Sequence, residues 1–347
     1  MVELRTALRC FLAGAALTAA GCSYAETERA APEVARPAHD QQAPQPSRLT
    51  AEQEAEATQL IAKFRSRDSQ AKWDAVHALA ALCKGSPQIC RMLEAEFASD
   101  DAAVRQAAVM AIRDAQSEAV DSAPRVVPLV KDPDRGVRLI AIQALWQIRA
   151  PAEIALQPLL EAMGDDDYEV SQSVAEALTA HGVASPAVRV TLTTALRSPD
   201  WLVRRCAAQA LGDIGPAAIE SLAVLRECLR DPNADVRGWS AYAIGKFGAG
   251  AKLAVPDLVT MLGKDVAPNR RAAAAALGGI GPDASEGVPA LIEALKSPFD
   301  ARVRRAAANG LGDIGPAAKA AIPALEAALP EPVVGECAAE ALAKIRK

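Results

Sequence analysis

Apolar and polar positions recur along most of this chain with a period of 33 residues. Each period has a short polar turn, a Val-Arg pair and then an Ala/Leu pattern, as in the segments that begin at Asp132, Ser198 and Asp231. The residue at the Val of that pair is taken as the anchor, and the anchors are Ala71, Val104, Val137, Val170, Val203, Val236, Asn269, Val303 and Val334. The first six spacings are all 33, followed by 34 and 31. Such regularity predicts a stacked array of repeats.

Within each repeat the apolar residues follow helical spacing. They fall at 0, +4, +7, +8 and +11 from the anchor, which in the third repeat gives Val137, Ala141, Ala144, Leu145 and Ile148. This set forms one face of a helix with 3.6 residues per turn. A shorter apolar segment such as "ALQPLLEAMGD" precedes each turn, often with Pro near its start, where a missing N–H costs little. Each repeat is therefore predicted to be an antiparallel helix pair.

The consensus Pro-x-Leu…Leu-x-Asp-Pro-Asp-x-x-Val-Arg-x-x-Ala-Ala-x-Ala-Leu-Gly-x-Ile-Gly resembles the short HEAT repeat, in the variant also found in phycobilin lyases. The resemblance covers about residues 50–347 and implies an all-α fold, a right-handed α-solenoid of about nine HEAT-like helix pairs over residues 49–347. Ankyrin arrays share the period, but their Thr-Pro-Leu-His-x-Ala signature is absent. Ser171 in place of Arg and Asn269 in place of Val depart from the pattern.

The string "LGDIGPAA" occurs twice, at residues 211–218 and 311–318. We interpret it as a helix stop: Leu211 and Ile214 are core positions, Gly212 and Asp213 face away from the core, and Gly215 ends the helix in a left-handed conformation. A phosphate-binding loop would need Gly-rich backbone between a strand and the start of a helix, and no strand pattern precedes this string.

Arginines recur directly after the anchors. The resemblance to HEAT arrays implies a ladder of Asp and Arg side chains that links successive turns, with Asp101, Asp134 and Asp235 as nearby acids. A track of arginines that binds anions is the alternative. The arginines are Arg105, Arg138, Arg204, Arg237, Arg270 and Arg304.

The first residues have the features of an export signal. Arg5 and Arg9 precede an apolar run over residues 10–20, and "TAAGC" resembles the lipobox of bacterial lipoproteins. We therefore expect residues 1–21 to be a lipoprotein-type signal peptide and Cys22 to be lipidated. Residues 22–48 are polar and rich in Pro, which predicts a disordered tether. In the lipoproteins that this segment resembles, a residue other than Asp directly after the lipidated Cys implies the outer membrane, and here that residue is Ser23. An ordinary cleaved signal with a chance Cys is the alternative.

Composition and motifs give little support for catalysis. The net charge of −5 argues against a dedicated nucleic-acid binder. The chain has only three His, and it has no nucleophile elbow, Walker motif or dinucleotide-binding fingerprint. We expect no metal and no cofactor. A lyase-like or hydroxylase-like enzyme, or a cofactor-maturation factor built on HEAT-like repeats, is the alternative function.

The cysteines allow disulfides in an exported protein. Cys83 and Cys90 flank a turn between the first two repeats and are a candidate pair, and Cys206 with Cys228 is a second possibility. Cys337 would then be left over.

In HEAT arrays the second helix of each repeat lines the concave side, and periodicity places its exposed positions at +2, +6 and +9 from the anchor. Exposed Trp, Tyr, Met and Arg are the residue types that anchor interfaces. Packing between neighbouring repeats is the alternative role for these aromatics. We predict a scaffold or adaptor in the bacterial envelope that binds a protein or peptide partner on this ridge, which consists of Trp73, Met110, Arg113, Leu139, Gln143, Trp146, Arg205, Gln209, Tyr242, Arg271, Arg305 and Asn309.

Overall fold

The structure, a computed structural model, describes residues 50–182, 185–297 and 300–347. These ranges contain eighteen α-helices and no β-strand. In chain order the helices are α1 (Ala51–Ala62), α2 (Ser69–Gly85), α3 (Pro87–Ala95), α4 (Ala102–Ala115), α5 (Ala123–Val126), α6 (Arg135–Gln147), α7 (Ala152–Ala162), α8 (Tyr168–Gly182), α9 (Pro186–Ala195), α10 (Trp201–Ile214), α11 (Leu222–Cys228), α12 (Ala234–Lys246), α13 (Val255–Lys264), α14 (Ala267–Ile280), α15 (Val288–Leu295), α16 (Ala301–Ile314), α17 (Ile322–Ala328) and α18 (Gly335–Ile345).

The described helices form nine pairs, one for each anchor in the sequence. The odd-numbered first helix of a pair contacts the even-numbered second helix, and each second helix also contacts the second helices of the neighbouring repeats. Short 3-10 segments join many pairs, for example Gly215–Ser221 between α10 and α11. The all-α solenoid predicted from the periodicity is confirmed.

Polar caps begin the second helices where the sequence places its polar turns. Asp101, Asp134, Asp200 and Asp300 directly precede α4, α6, α10 and α16, and each side chain accepts a hydrogen bond from a backbone N–H of the first turn. Such a cap satisfies an N–H group that has no partner within the helix. These four residues therefore fix where the second helices start.

The core consists of the residues that the helical spacing predicts. In the third repeat Val137, Ala141, Ala144, Leu145 and Ile148 are all fully buried. Alanine at +4 and +7 brings neighbouring second helices close together, because small side chains allow helix axes to approach. The core is consequently continuous along the described repeats rather than confined to single pairs.

Gly212 corrects one detail of the predicted helix stop. We expected it to face away from the core, but it is buried, and a Cβ built at this position would lie 2.9 Å from Cα of Ala243 on α12. Gly245 and Gly312 make equally close approaches to the next second helix, with a built Cβ 2.8 Å from Cα of Ala276 and of Ala341. The first Gly of the string is thus required by helix packing, and Asp213 alone faces solvent.

Gly215 ends α10 with φ of 73° and ψ of −144°. The positive φ agrees with the expectation, but ψ lies outside the left-handed helical region. The pair of angles falls in a backbone region that only Gly adopts without strain. Gly281 and Gly315 end α14 and α16 with nearly the same angles.

The predictions for the N-terminal segment, namely the signal peptide at 1–21, lipidation of Cys22 and the tether at 22–48, concern residues outside the described ranges. Within the described part of the chain, no helix combines the length and apolar character needed to cross a membrane.

Candidate interaction surface on the second helices

The recurring arginines form the ladder that the resemblance implied. Arg105 binds Asp132, Arg138 binds Asp165 and Arg204 binds Asp231, each with two guanidinium nitrogens at hydrogen-bond distance from the carboxylate. Two further pairs continue the series, Arg237 with Asp265 and Arg304 with Glu331. These five guanidinium groups are therefore engaged inside the protein and do not form an anion track.

The ladder uses other acids than those named from the sequence. Each arginine reaches the acid in the turn of the following repeat, 27 or 28 residues later. Asp101 and Asp134 instead cap the helices that follow them. Arg270 pairs with no acid among the residues that the structure describes; its Nε donates to the backbone oxygen of Leu262.

Most of the predicted ridge residues lie at the surface of the second helices. Trp73 and Trp146 are 45% and 46% exposed, which is unusual for so large an apolar side chain. Arg271, Arg305 and Asn309 are also exposed, whereas five members are only partly exposed, namely Met110, Arg113, Leu139, Gln143 and Tyr242.

Arg205 and Gln209 were predicted on this ridge, and their placement is wrong. They are 3% and 4% exposed and belong to the interior of the array. The guanidinium of Arg205 lies over the ring of Tyr168, 5.0 Å from its centroid, and this aromatic ring covers the charge. Neither side chain is available to a partner.

A chain of polar contacts connects the first three repeats on this face. Trp73 stacks on His77, with ring centroids 5.1 Å apart, and His77 Nδ1 lies 3.6 Å from Asp114 Oδ2. Arg113 donates both to Asp114, at 2.8 Å, and to Gln143, at 3.2 Å. These contacts restrict the side chains that surround Trp73, so this end of the ridge is held in a defined arrangement.

Trp73 also borders a cleft of about 240 Å³ between α2 and α4. The ring, Val76 and Met110 supply apolar surface, and Lys72 and Gln106 supply polar groups at the same opening. An open, largely apolar depression beside a half-exposed Trp suits a side chain inserted from a partner.

A second aromatic cluster lies on α12. Trp239 and Tyr242 meet edge to face with centroids 5.2 Å apart, and the ammonium of Lys246 lies 5.3 Å from the centre of the Tyr242 ring. The Tyr242 hydroxyl donates to Asp213 Oδ1 at 2.7 Å. Burial and this hydrogen bond to a carboxylate raise the pKa of Tyr242 to about 12. The phenol therefore remains a neutral donor.

Two exposed aromatics on this face were missed by the periodicity argument. Tyr168 and Trp201 are the first residues of α8 and α10 and lie two positions before their anchors. Position −2 is four residues before +2 and thus on the same helical face. Extending the ridge by one turn would have found both residues.

The cysteines form one disulfide and two separate buried thiols in the described part of the chain. Cys83 and Cys90 form a disulfide between α2 and α3. Cys206 and Cys228 are separate buried thiols, so the second pairing is not formed, and burial raises the pKa of Cys228 to about 11. Among the described residues, no group of three or more His, Cys, Asp or Glu side chains is placed to hold a metal ion.

A protein-family model described as HEAT repeats matches the chain over residues 90–179, 156–245, 189–278 and 255–346. Together these matches cover most of the chain. No match was found among curated proteins.

Solved structures with a similar fold include a chain in the Kap95:Nup1 complex, with a TM-score of 0.60 and 15% identity over 83% of this chain and 46% of that one. Importin Beta has a TM-score of 0.59 and 16% identity over 80% of this chain and 43% of that one. Kap121p bound to Nup53p has a TM-score of 0.56 and 16% identity over 86% of this chain and 42% of that one. This chain thus spans less than half the length of these proteins. At such identity the likeness concerns the fold.

Proposed function

Because the chain belongs to the HEAT-repeat family, we propose that it is a non-enzymatic scaffold or adaptor that binds a protein or peptide partner on the ridge of its second helices. The proposal includes attachment to the bacterial cell envelope through a lipidated Cys22. It extends to this chain the binding of a protein partner by a protein of similar fold, as in Kap121p bound to Nup53p.

The observation that carries the proposal is the exposure of Trp73 and Trp146 on one face of the array. Exposed apolar patches mark interaction sites, and Trp is among the residue types most enriched at binding hot spots. Met110 and Leu139 lie between them in the repeat order and are partly exposed on the same face. Together these side chains offer apolar contact area spread over three repeats.

The packing of the second helices supports the assignment of this ridge to the concave side. At Gly212, Gly245 and Gly312 the next second helix lies so near that even a Cβ would clash. A layer whose helices are this close forms the inner side of a curved stack, since the outer layer must cover a longer arc. A concave surface can surround a partner and contact it through several repeats.

A pull-down from envelope extracts tests the ridge. The bait is the full chain, and the test variant combines Trp73→Ala with Trp146→Ala. Loss of a hot-spot Trp costs about 2 kcal/mol or more, a roughly 30-fold weaker affinity, so partner recovery should fall strongly. The control is Leu253→Ala, because Leu253 is also apolar and exposed but lies in the 3-10 segment Gly248–Ala254. Equal recovery with the tryptophan variant and with the unchanged protein would refute the proposal.

The proposed membrane attachment rests on the sequence features of the first 22 residues, namely Arg5, Arg9, the apolar run at 10–20 and the lipobox-like "TAAGC". Ser23 favours the outer membrane, with the solenoid facing the periplasm. Radiolabelled palmitate should enter the protein and should be lost in Cys22→Ser. Label that survives this substitution would rule out Cys22 as the lipidated residue, and fractionation of the two membranes tests the location.

A further inference from the structure

Arg271 and Arg305 occupy the same position of consecutive repeats, two residues after the anchor, on α14 and α16. Both side chains are exposed, and within the described residues neither forms an ion pair. Arg302, one turn before Arg305 on the same helix, is likewise exposed and without an ion pair there. They differ from the ladder arginines Arg237 and Arg304 of the same region, which are held by acids.

The acids on the same and the neighbouring second helices either make other contacts or are exposed without an ion pair to these three arginines. Asp300 accepts backbone N–H groups as the cap of α16, and Asp313 is bound to Lys344. Asp235 and Glu336 are exposed on the preceding and following second helices, α12 and α18, and no ion pair links either to the arginines. The chain as a whole carries a charge of −5, so three exposed arginines without an ion pair run against the overall balance.

We propose that this patch, defined as Arg271, Arg302 and Arg305, binds an acidic peptide segment of the partner. The proposal rests on the proposed function, because it names the chemistry of a partner on the same face. The planar guanidinium matches a carboxylate through two parallel hydrogen bonds, so arginines without acids are suited to Asp and Glu side chains. Such pairs at an accessible surface add specificity and speed of association.

The geometry specifies the spacing of the acids. Packed helices lie about 8–10 Å apart, which sets the separation of the backbones that carry Arg271 and Arg305. A peptide in the polyproline II conformation has three residues per turn and advances about 3.1 Å per residue, so carboxylates three residues apart project on the same side and would meet both arginines. The peptide then crosses the second helices and runs along the solenoid.

The surface beside the patch leaves room for a peptide backbone. Ala275 and Gly279 follow Arg271 on the exposed face of α14 and project no long side chain. On the preceding helix, Trp239 and Tyr242 form the aromatic cluster. An apolar residue on the peptide, three positions from the first acid, would reach that cluster.

Fluorescence anisotropy with the full chain tests the inference. The probe is a labelled twelve-residue peptide with Glu at every third position and one Leu, and a second probe has Gln in place of each Glu. The test variant is Arg271→Ala with Arg305→Ala. The control is Arg91→Ala with Arg125→Ala, which removes the same charge from exposed positions on α3 and α5.

The unchanged protein and the control should bind the Glu peptide equally, and the test variant about tenfold more weakly, since two exposed charge pairs contribute roughly 1.4 kcal/mol in sum. The Gln peptide should bind the unchanged protein as weakly as the Glu peptide binds the test variant.

Three results would overturn the inference: no binding of the Glu peptide, equal losses in test and control variants, or tighter arginine-dependent binding of a twelve-nucleotide oligo-dT, which would assign the patch to phosphates. In the pull-down, loss of partner with the tryptophan variant but not with the arginine variant would refute this inference and leave the proposed function intact.

Discussion

Arg105 and Asp132, in successive repeats, form a two-point ion pair: Nη2 lies 2.7 Å from Oδ1 and Nε lies 2.8 Å from Oδ2. Both side chains are largely buried. The remaining guanidinium nitrogen donates to the backbone oxygens of Ser99 and Asp100, so the same arginine also fixes the turn of its own repeat. One side chain thereby links a turn, a helix and the next repeat.

Removal of the acid from this pair should destabilise the array. In Asp132→Ala the buried guanidinium loses its counter-charge, and loss of one partner from a buried pair costs about 3 kcal/mol. Urea unfolding followed by circular dichroism measures the change. Glu161→Gln serves as the control, because Glu161 pairs with Lys131 at an exposed site, where a pair contributes under about 1 kcal/mol. Similar losses for both variants would show that the ladder contributes no more than a surface pair.

The ladder also predicts that its carboxylates contribute less to folding stability at acidic pH. The hydrogen bond from Arg237 holds the pKa of Asp265 below its ordinary value of 3.8, although burial opposes this shift. Because the pKa is lower in the folded state, the carboxylate stabilises the fold above the unfolded-state value, and this contribution is lost as the pH falls through the folded-state pKa. Asp265→Asn should therefore be less stable than the unchanged protein at pH 7, and the difference should shrink as the pH falls below 3.8. A difference that is constant with pH would contradict this assignment.

The fold could be predicted from the sequence because its information is local and periodic. The anchor Val137 and the +4 and +8 residues define the buried face without any knowledge of distant contacts, and all of them are buried. The surface was harder to predict. Arg205 has the period of an exposed residue, but Tyr168 of the preceding repeat covers it, and a contact between repeats is invisible to helical spacing. The true ladder acids, such as Asp132, were missed for the same reason.

The ladder is interrupted at regular intervals along the described repeats. The position that holds Asp132 or Asp231 in paired repeats is occupied by Ser at three places that lie 99 residues apart, namely Ser99, Ser198 and Ser297. The residues that should face them 27 positions earlier are Lys72, Ser171 and Arg270. Three repeats thus form one unit of the ladder, and the two copies of "LGDIGPAA" also lie three repeats apart.

The last interruption can be repaired with one substitution. Arg270 is already present, so Ser297→Asp should supply its missing acid and stabilise the protein by about 1 kcal/mol. The gain should vanish when Arg270→Ala is also present, since the new carboxylate would then have no partner. Thermal unfolding of the four proteins in this cycle measures the coupling. The same effect of Ser297→Asp with and without Arg270 would show that no ladder contact forms.

The helix stop can be tested with Gly→Ala substitutions, which should lower stability at the helix end and raise it within a helix. Gln116 ends α4 with φ of 58° and ψ of −142°, close to the angles of Gly215. A side chain in this region costs about 1–3 kcal/mol, so Gln116→Gly should stabilise the protein and Gly215→Ala should destabilise it. A Cβ at Gly215 meets no atom within 4 Å, so the loss reports the backbone alone. Gly263→Ala is the control: Gly263 is exposed within α13 and equally uncrowded, and there Ala should stabilise by about 1 kcal/mol. Equal shifts in melting temperature for the two Gly→Ala variants would disprove the role of the positive φ.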